Sequence, residues 1–128
     1  MTEAAFLVDA NIAIYALRDR GSAAARRIEL CEPGSVVTSS IVYAEILRGF
    51  PVGEPVPHEA LYALFELIPV LPFDKAAAEA YRRVPFRRGT FDRLIAAHAL
   101  SLDLVLVTNN MRDFADVPGL RVENWAQA

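Results

Sequence analysis

Four carboxylates occupy positions that could do chemistry. Asp9 follows directly on the apolar run Phe6-Leu7-Val8, and Glu45 lies inside Ile41-Val42-Tyr43-Ala44-Glu45-Ile46-Leu47. Asp92 opens the stretch Leu94-Ile95-Ala96-Ala97-His98-Ala99-Leu100, and Asp113 comes shortly after Thr108. Each has an ordinary explanation. Asp9 and Asp92 are well placed to cap helices, Asp113 could be an exposed turn acid, and Glu45 could pair with Arg48 on a helix surface. Glu45 resists its explanation most, because at helical spacing it shares a face with the β-branched Ile41 and Val42, and burying a carboxylate is unfavourable unless it is paired or metal-bound. Acids crowded at one edge repel and cannot all stay ionised without a cation. An oxygen-only set with no His or Cys among it selects Mg2+ or Mn2+ over Zn2+. A carboxylate-held Mg2+ with open positions suits phosphodiester hydrolysis, since it activates water and offsets charge on the phosphate.

These acids must be positioned by elements that bring them together. Short apolar runs alternate with helical stretches. Strands are expected at 5–8, 35–38, 70–71, 104–107 and 120–123, and helices at 11–18, 22–31, 40–48, 59–67, 74–84 and 92–102. Ser22 and Asp74 are placed as helix caps, Gly21 and Gly49 as stops, and Pro33-Gly34 as a turn. The stretch 51–57, with three prolines, reads as a loop, 85–90 as a connector, and 109–117 as irregular or a short helix. Continuous apolar strands separated by helices imply parallel pairing with both sheet faces covered. The expected fold is α/β, a three-layer α/β/α sandwich with a mainly parallel sheet. In such sheets sites form outside the carboxyl ends of the strands, and three of the four acids follow strand ends or helix starts on that edge.

Composition narrows the function classes. The 128 residues suit a single domain spanning 1–128, and 54% hydrophobic with 23% charged residues is globular. The apolar runs are too short and too broken by charge to span a bilayer, and the N-terminus lacks a signal-peptide pattern. Cys31 is the only cysteine, which rules out an intramolecular disulfide or a thiolate metal cluster and fits a reducing cytoplasm. The net charge of −3 argues against a generally basic nucleic-acid binder. Lys75 is the only lysine, and Arg82, Arg83, Arg87 and Arg88 cluster around a Pro-Phe break. Arginine forks match phosphate oxygens, so this cluster points to nucleic acid if an acidic metal site lies beside it and to a solvated face if not. His98 sits among alanines, rotated away from Asp92 on its helix, and reads as structural. His58 falls in the loop region. No Gly-rich phosphate loop, nucleophile elbow or zinc spacing is present.

The motifs together resemble the PIN-domain family. Val8-Asp9-Ala10-Asn11-Ile12 with Tyr15-Ala16-Leu17 looks like its opening, and 39–49, through Glu45, like its second motif. Phe91-Asp92-Arg93-Leu94-Ile95-Ala96-Ala97-His98-Ala99-Leu100 looks like the third. Val107-Thr108-Asn109-Asn110, then Arg112-Asp113-Phe114, Pro118-Gly119-Leu120 and Glu123-Asn124-Trp125, resembles the tail of the VapC group. The resemblance runs nearly end to end; the Thr2-Glu3-Ala4 lead and the 51–57 loop match nothing specific. It implies a Mg2+-dependent endoribonuclease, with Mn2+ able to substitute, acting as a toxin, neutralised by a cognate antitoxin and forming a homodimer. The family's acids carry over onto Asp9, Glu45 and Asp92. Many members place a further acid two residues after the threonine of the fourth motif; this chain has Asn110 there, and Asp113 stands where VapC-like members often carry an acid.

The resemblance also implies roles. Asp9 and Asp92 would hold the metal, Glu45 would bind it or orient the attacking water, and Asp113 would complete the pocket. Asn11 and Thr108 would orient carboxylates, and the arginine cluster would grip RNA, single-stranded or in the loops of a structured molecule. Three other readings compete. A phosphotransfer receiver domain should carry a lysine after a late strand, whereas Lys75 begins a helix. A PIN-fold binding module without catalysis would not need all three central acids. A nuclease for structured DNA usually has additional gripping segments.

Overall fold

Parallel β-structure requires long crossovers, and the expected alternation of strands and helices supplies them. The computed structural model describes residues 3–88 and 90–127; Thr2 of the lead and Gly89 of the connector lie outside them. The elements in order are β1 (Phe6–Val8), α1 (Ala10–Arg18), α2 (Ala23–Leu30), β2 (Val36–Ser39), α3 (Ser40–Arg48) and α4 (His58–Leu67). There follow β3 (Val70–Leu71), α5 (Lys75–Ala80), a 3-10 turn (Tyr81–Arg83), α6 (Asp92–Ser101), β4 (Val105–Val107), a second 3-10 turn (Met111–Phe114) and β5 (Val122–Glu123).

The strands form one five-stranded sheet in the order β3-β2-β1-β4-β5, with every neighbouring pair parallel. β1 is central, with Val8 level with Thr38 on one side and Val107 on the other. The chain runs from β1 outward through β2 to β3, then back across the sheet to β4. Helices α1, α2 and α4 pack together, as do α5 and α6, which gives the three-layer sandwich. Order reverses between β1 and β4, so the crevice lies beyond the ends of those two strands.

Local sequence explains most boundaries. Ser22 caps α2 by accepting from the Ala25 N–H (3.1 Å), and Asp74 caps α5 by accepting from Ala77 (3.0 Å). Gly34 takes φ 88° in the turn before β2, a conformation that favours glycine. The buried Thr38 hydroxyl donates to the Val8 carbonyl at 2.8 Å, pinning β2 to β1 beside Asp9. The helix expected to reach Val84 ends instead at Ala80 and tightens into the 3-10 turn. Pro85 accounts for this, because it pushes the residue before it out of the helical region, and Val84 is extended at φ −99°, ψ 123°. The last strand begins at Val122 rather than Leu120, and His58 opens α4 rather than lying in the loop.

The core joins sheet and helices through Leu7, Val8, Ile12, Ile95 and Leu106, all fully buried. Trp125 seals the end beyond β5. Its ring lies 4.9 Å from that of Phe6, its Nε1–H donates to Glu123 at 3.0 Å, and the Arg27 guanidinium sits 5.0 Å over it. Trp125→Ala is expected to lower unfolding free energy by about 3–5 kcal/mol, the usual range for truncating a large buried aromatic. Urea denaturation measures this, and a loss below about 1 kcal/mol would show that the ring is not part of the cooperative core.

Candidate active site

Asp9 leaves β1 at its carboxyl end. Its backbone N–H bonds the Val107 carbonyl at 2.9 Å, fixing it against β4. The side chain is buried and does two things at once. Oδ1 accepts from the Ile12 N–H at 3.0 Å, which caps α1, and the carboxylate also accepts from Thr108. Burial pushes its pKa above the ordinary carboxylate value; hydrogen bonds from Thr108, Ile12 and Asn11 oppose that shift, and the charge of Asp92 adds to it.

Glu45 projects from α3, which follows β2. Its Oε1 is buried without a hydrogen-bond partner, and no ion pair links it to Arg48 among the described residues. Burial, then the charges of Asp92 and Asp9, push its pKa up to about 7. The surface-pair explanation is therefore displaced by an orphaned carboxylate oxygen that senses two other acids.

Asp92 stands at the first position of α6. The N-cap is Phe91, with no side-chain cap bond, so the capping explanation does not hold for Asp92. Its N–H instead donates to the Thr90 hydroxyl at 2.8 Å. Burial and the charge of Asp113 raise its pKa, with Thr90 and Arg93 partly offsetting them. Asp113 lies in the turn after β4, where its Oδ2 accepts from Asn110 Nδ2 at 2.6 Å. Asn110 thus serves to orient Asp113.

Thr108 links these residues. It is fully buried, reaches the Asp9 carboxylate, accepts from the Asn110 N–H at 3.1 Å and donates its own N–H to the Glu123 carbonyl at 2.9 Å. The side chain of Asn11 takes another course. It donates to Asn109 at 3.3 Å, and Asn109 donates to the Tyr15 hydroxyl at 2.9 Å. Only the backbone N–H of Asn11 supports Asp9.

The arginine cluster divides. Arg87 and Arg88 line a cleft together with Thr90, Asp92, Arg93 and Asp113, and Arg87 pairs with Asp116 at 3.3 Å. Arg82 and Arg83 are exposed in the 3-10 turn after α5 and are not part of that lining. His98 is buried, with Nδ1 2.7 Å from Ser39 Oγ and its ring edge-on to Phe73. Burial lowers its pKa. It is a structural histidine, as its surroundings suggest, but its serine partner is not evident from sequence.

Arg93 is the residue that sequence reasoning missed. It is 1% exposed. Its guanidinium donates to the Asp113 carbonyl, to both Asp116 carboxylate oxygens at 3.0 and 3.3 Å, and to the Pro85 carbonyl at 3.4 Å. It therefore fixes the turn carrying Asp113 and the start of the arginine-rich connector to α6. The available signal was the helix's one arginine, set directly before the apolar run Leu94-Ile95-Ala96-Ala97.

The donor chemistry fits a hard divalent cation. All four acids offer oxygen, three of them have raised pKa values, and Glu45 Oε1 lacks a partner. Among the described residues no three acids, histidines or cysteines converge closely enough to enclose an ion. Such an open set suits Mg2+, which keeps several waters and needs only one or two carboxylates.

A parallel α/β/α sandwich with an acidic crevice at its strand-order reversal defines the class, and comparison with known proteins defines the family. The PIN-domain model matches residues 6–120. The chain is 34% identical to the tRNA(fMet)-specific endonuclease VapC of Shigella flexneri, over 94% of this chain and 98% of that one. It is 32% identical to the protein of the same name from Salmonella typhimurium, over 94% and 97%. Among solved structures, VapBC2 from Rickettsia felis bound to a promoter DNA fragment superposes with a TM-score of 0.80 at 26% identity, covering 97% of this chain and 99% of that one. DNA-bound VapBC from Salmonella typhimurium gives 0.78 at 29% identity, covering 95% and 98%. The chain belongs to the PIN-domain family, and its similarity to the VapC ribonucleases is end to end.

The raised pKa of Glu45 makes a pH prediction. Its ordinary value is 4.5 and its folded value about 7, so between these the folded chain retains a proton that the unfolded chain has released. Its contribution to stability is full below about 4.5 and is lost as pH rises to about 7. Thermal melts in EDTA should show Glu45→Gln falling less steeply than wild type across this window. Parallel curves for the two proteins would contradict the assignment of a buried, repelled carboxylate.

Proposed function

We propose that the chain is a metal-dependent endoribonuclease, the toxin of a toxin–antitoxin pair, acting as one PIN-like domain across 1–128. The observation that carries this reading is Glu45: a buried carboxylate oxygen without a hydrogen-bond partner among the described residues, its pKa raised by burial and by Asp92 and Asp9. The ribonuclease names of its relatives support it.

Asp9 and Asp92 would hold Mg2+, with Mn2+ substituting. When bound, that ion would lower the pKa of water and offset charge on the scissile phosphate. Thr108 holds the Asp9 carboxylate in place, so it need not reorganise as charge develops. Glu45, whose Oε1 has no hydrogen-bond partner among the described residues, would bind the ion or orient the attacking water and take its proton. Asp113, oriented by Asn110, would complete the pocket. Arg87 and Arg88 would grip RNA phosphates from the cleft wall, and the exposed Arg82 and Arg83 would extend the basic surface. Asn11 would act through Asn109 rather than on a carboxylate.

The solved VapBC complexes support a cognate antitoxin as partner, and we propose a homodimer as the assembly. The single cysteine suits a reducing cytoplasm, and among the described residues no helix is long and apolar enough to cross a membrane.

Purified chain, free of antitoxin, should cut single-stranded or loop RNA with Mg2+ or Mn2+ and stop in EDTA. Glu45→Gln should lose at least about 100-fold in rate, the low end for a general base, while melting as a folded protein. Asp9→Asn should remain capped, since Asn is also a favoured cap, yet bind Mn2+ much more weakly. Expressed alone, wild type should arrest growth and Glu45→Gln should not. An RNA pool left intact by wild type in Mn2+ would replace this reading with a non-catalytic PIN-fold module.

A further inference from the structure

Seven phenylalanines are present, and five of them are buried or half-buried: Phe6, Phe50, Phe65, Phe73 and Phe114. The other two are Phe86, 74% exposed, and Phe91, 55% exposed. Burying a phenylalanine is worth about 1.5–3 kcal/mol, so leaving two in water within six residues calls for an explanation. Both are chain neighbours of the residues that form the arginine-bearing wall of the acid cleft, outside its lining. Phe86 precedes Arg87, and Phe91 directly precedes Asp92, while Arg87, Arg88, Thr90 and Asp92 line the cleft itself.

Charge and anchoring bear on what these rings meet. Between residues 82 and 91 there are four arginines and no acid, in a chain whose net charge is −3. The start of this stretch is fixed, since buried Arg93 holds the Pro85 carbonyl and Asp116 pairs with Arg87 as well as Arg93. Aromatic rings interleaved with arginines beside an anionic backbone path are the composition of single-stranded nucleic-acid sites, where bases stack and cations follow phosphates. A protein-docking patch would not need the arginines between the rings.

We propose that Phe86 and Phe91 form a stacking platform for unpaired RNA bases, with Arg87 and Arg88 holding the intervening phosphates, so that the strand is led onto the acids. This rests on the ribonuclease reading and specifies how that site takes its substrate. The platform binds any unstacked base, because every base has a π-face, and it discriminates against duplex, whose bases are already stacked.

The test uses the purified full chain with Mn2+ and two oligoribonucleotides of equal length, one intact and one with a run of abasic sites across the bound segment. Phe86→Ala and Phe91→Ala should each raise KM for intact RNA about fivefold or more, the lower end of what one stacked base contributes, with kcat changed less. On the abasic strand, variants and wild type should coincide. The logarithmic salt dependence should be unaltered in the phenylalanine variants and shallower by about 0.7 per lost phosphate contact in Arg87→Ala and Arg88→Ala. Equal KM increases on intact and abasic RNA would overturn the platform. So would unchanged KM, or a variant whose altered property is its oligomeric mass, which would assign the rings to a protein interface. A wild type that cuts RNA indistinguishably from the phenylalanine variants overturns the platform alone; a wild type that neither binds nor cuts RNA overturns the ribonuclease reading with it.

Discussion

The burial of carboxylates at the carboxyl edge of the sheet, with their mutual repulsion added to it, is the constraint on which the rest of this structure depends. Asp9, Glu45 and Asp92 each have pKa values raised by burial and by a neighbouring acid. Left to themselves, such groups would separate into solvent. They are held by rigid attachments: Asp9 by the sheet and α1, Glu45 by α3, Asp92 by the start of α6. The central position of β1 matters here, because a residue at its end cannot relax without disturbing strands on both sides.

The supporting hydrogen bonds share this work unequally. Thr108 reaches Asp9, the Asn110 backbone and β5 from one fully buried position. Arg93 carries the other side, where the turn after β4 meets the connector. The site thus has a neutral anchor under the central strands and a cationic anchor beneath the cleft wall. A buried arginine would be unfavourable if unpaired; here Asp116 meets it, and the pair keeps the Asp116 carboxyl below its usual pKa.

Much of this was legible in the sequence. Asp9 could be placed because Phe6-Leu7-Val8 reads as a buried strand, and Glu45 because an acid among Ile41 and Val42 has no comfortable surface explanation. The parallel sheet followed from apolar strands alternating with helices. What was not legible depends on contacts far apart in the chain. Asn11 was expected to meet a carboxylate and meets Asn109, 98 residues away. His98 could be set aside as structural, but its tie to Ser39 spans 59 residues. The role of Arg93 depends on carbonyl positions, which no residue type reveals. The shortened α5 is a milder case: Pro85 stands in the sequence, and it holds Val84 extended and stops the helix at Ala80.

The order of the sheet has a consequence for how the protein comes into being. β1 is made first but gains its second neighbour only when β4 arrives, about a hundred residues later in the chain. The four acids are likewise spread from residue 9 to residue 113. A partly synthesised chain therefore holds isolated carboxylates that neither crowd one another nor share a crevice. The chemistry belongs to the finished fold, and the non-local pairing that delays it is also the kind that makes folding slow. Catalytic competence is in this sense a late event in the life of the polypeptide, set by topology rather than by any single residue.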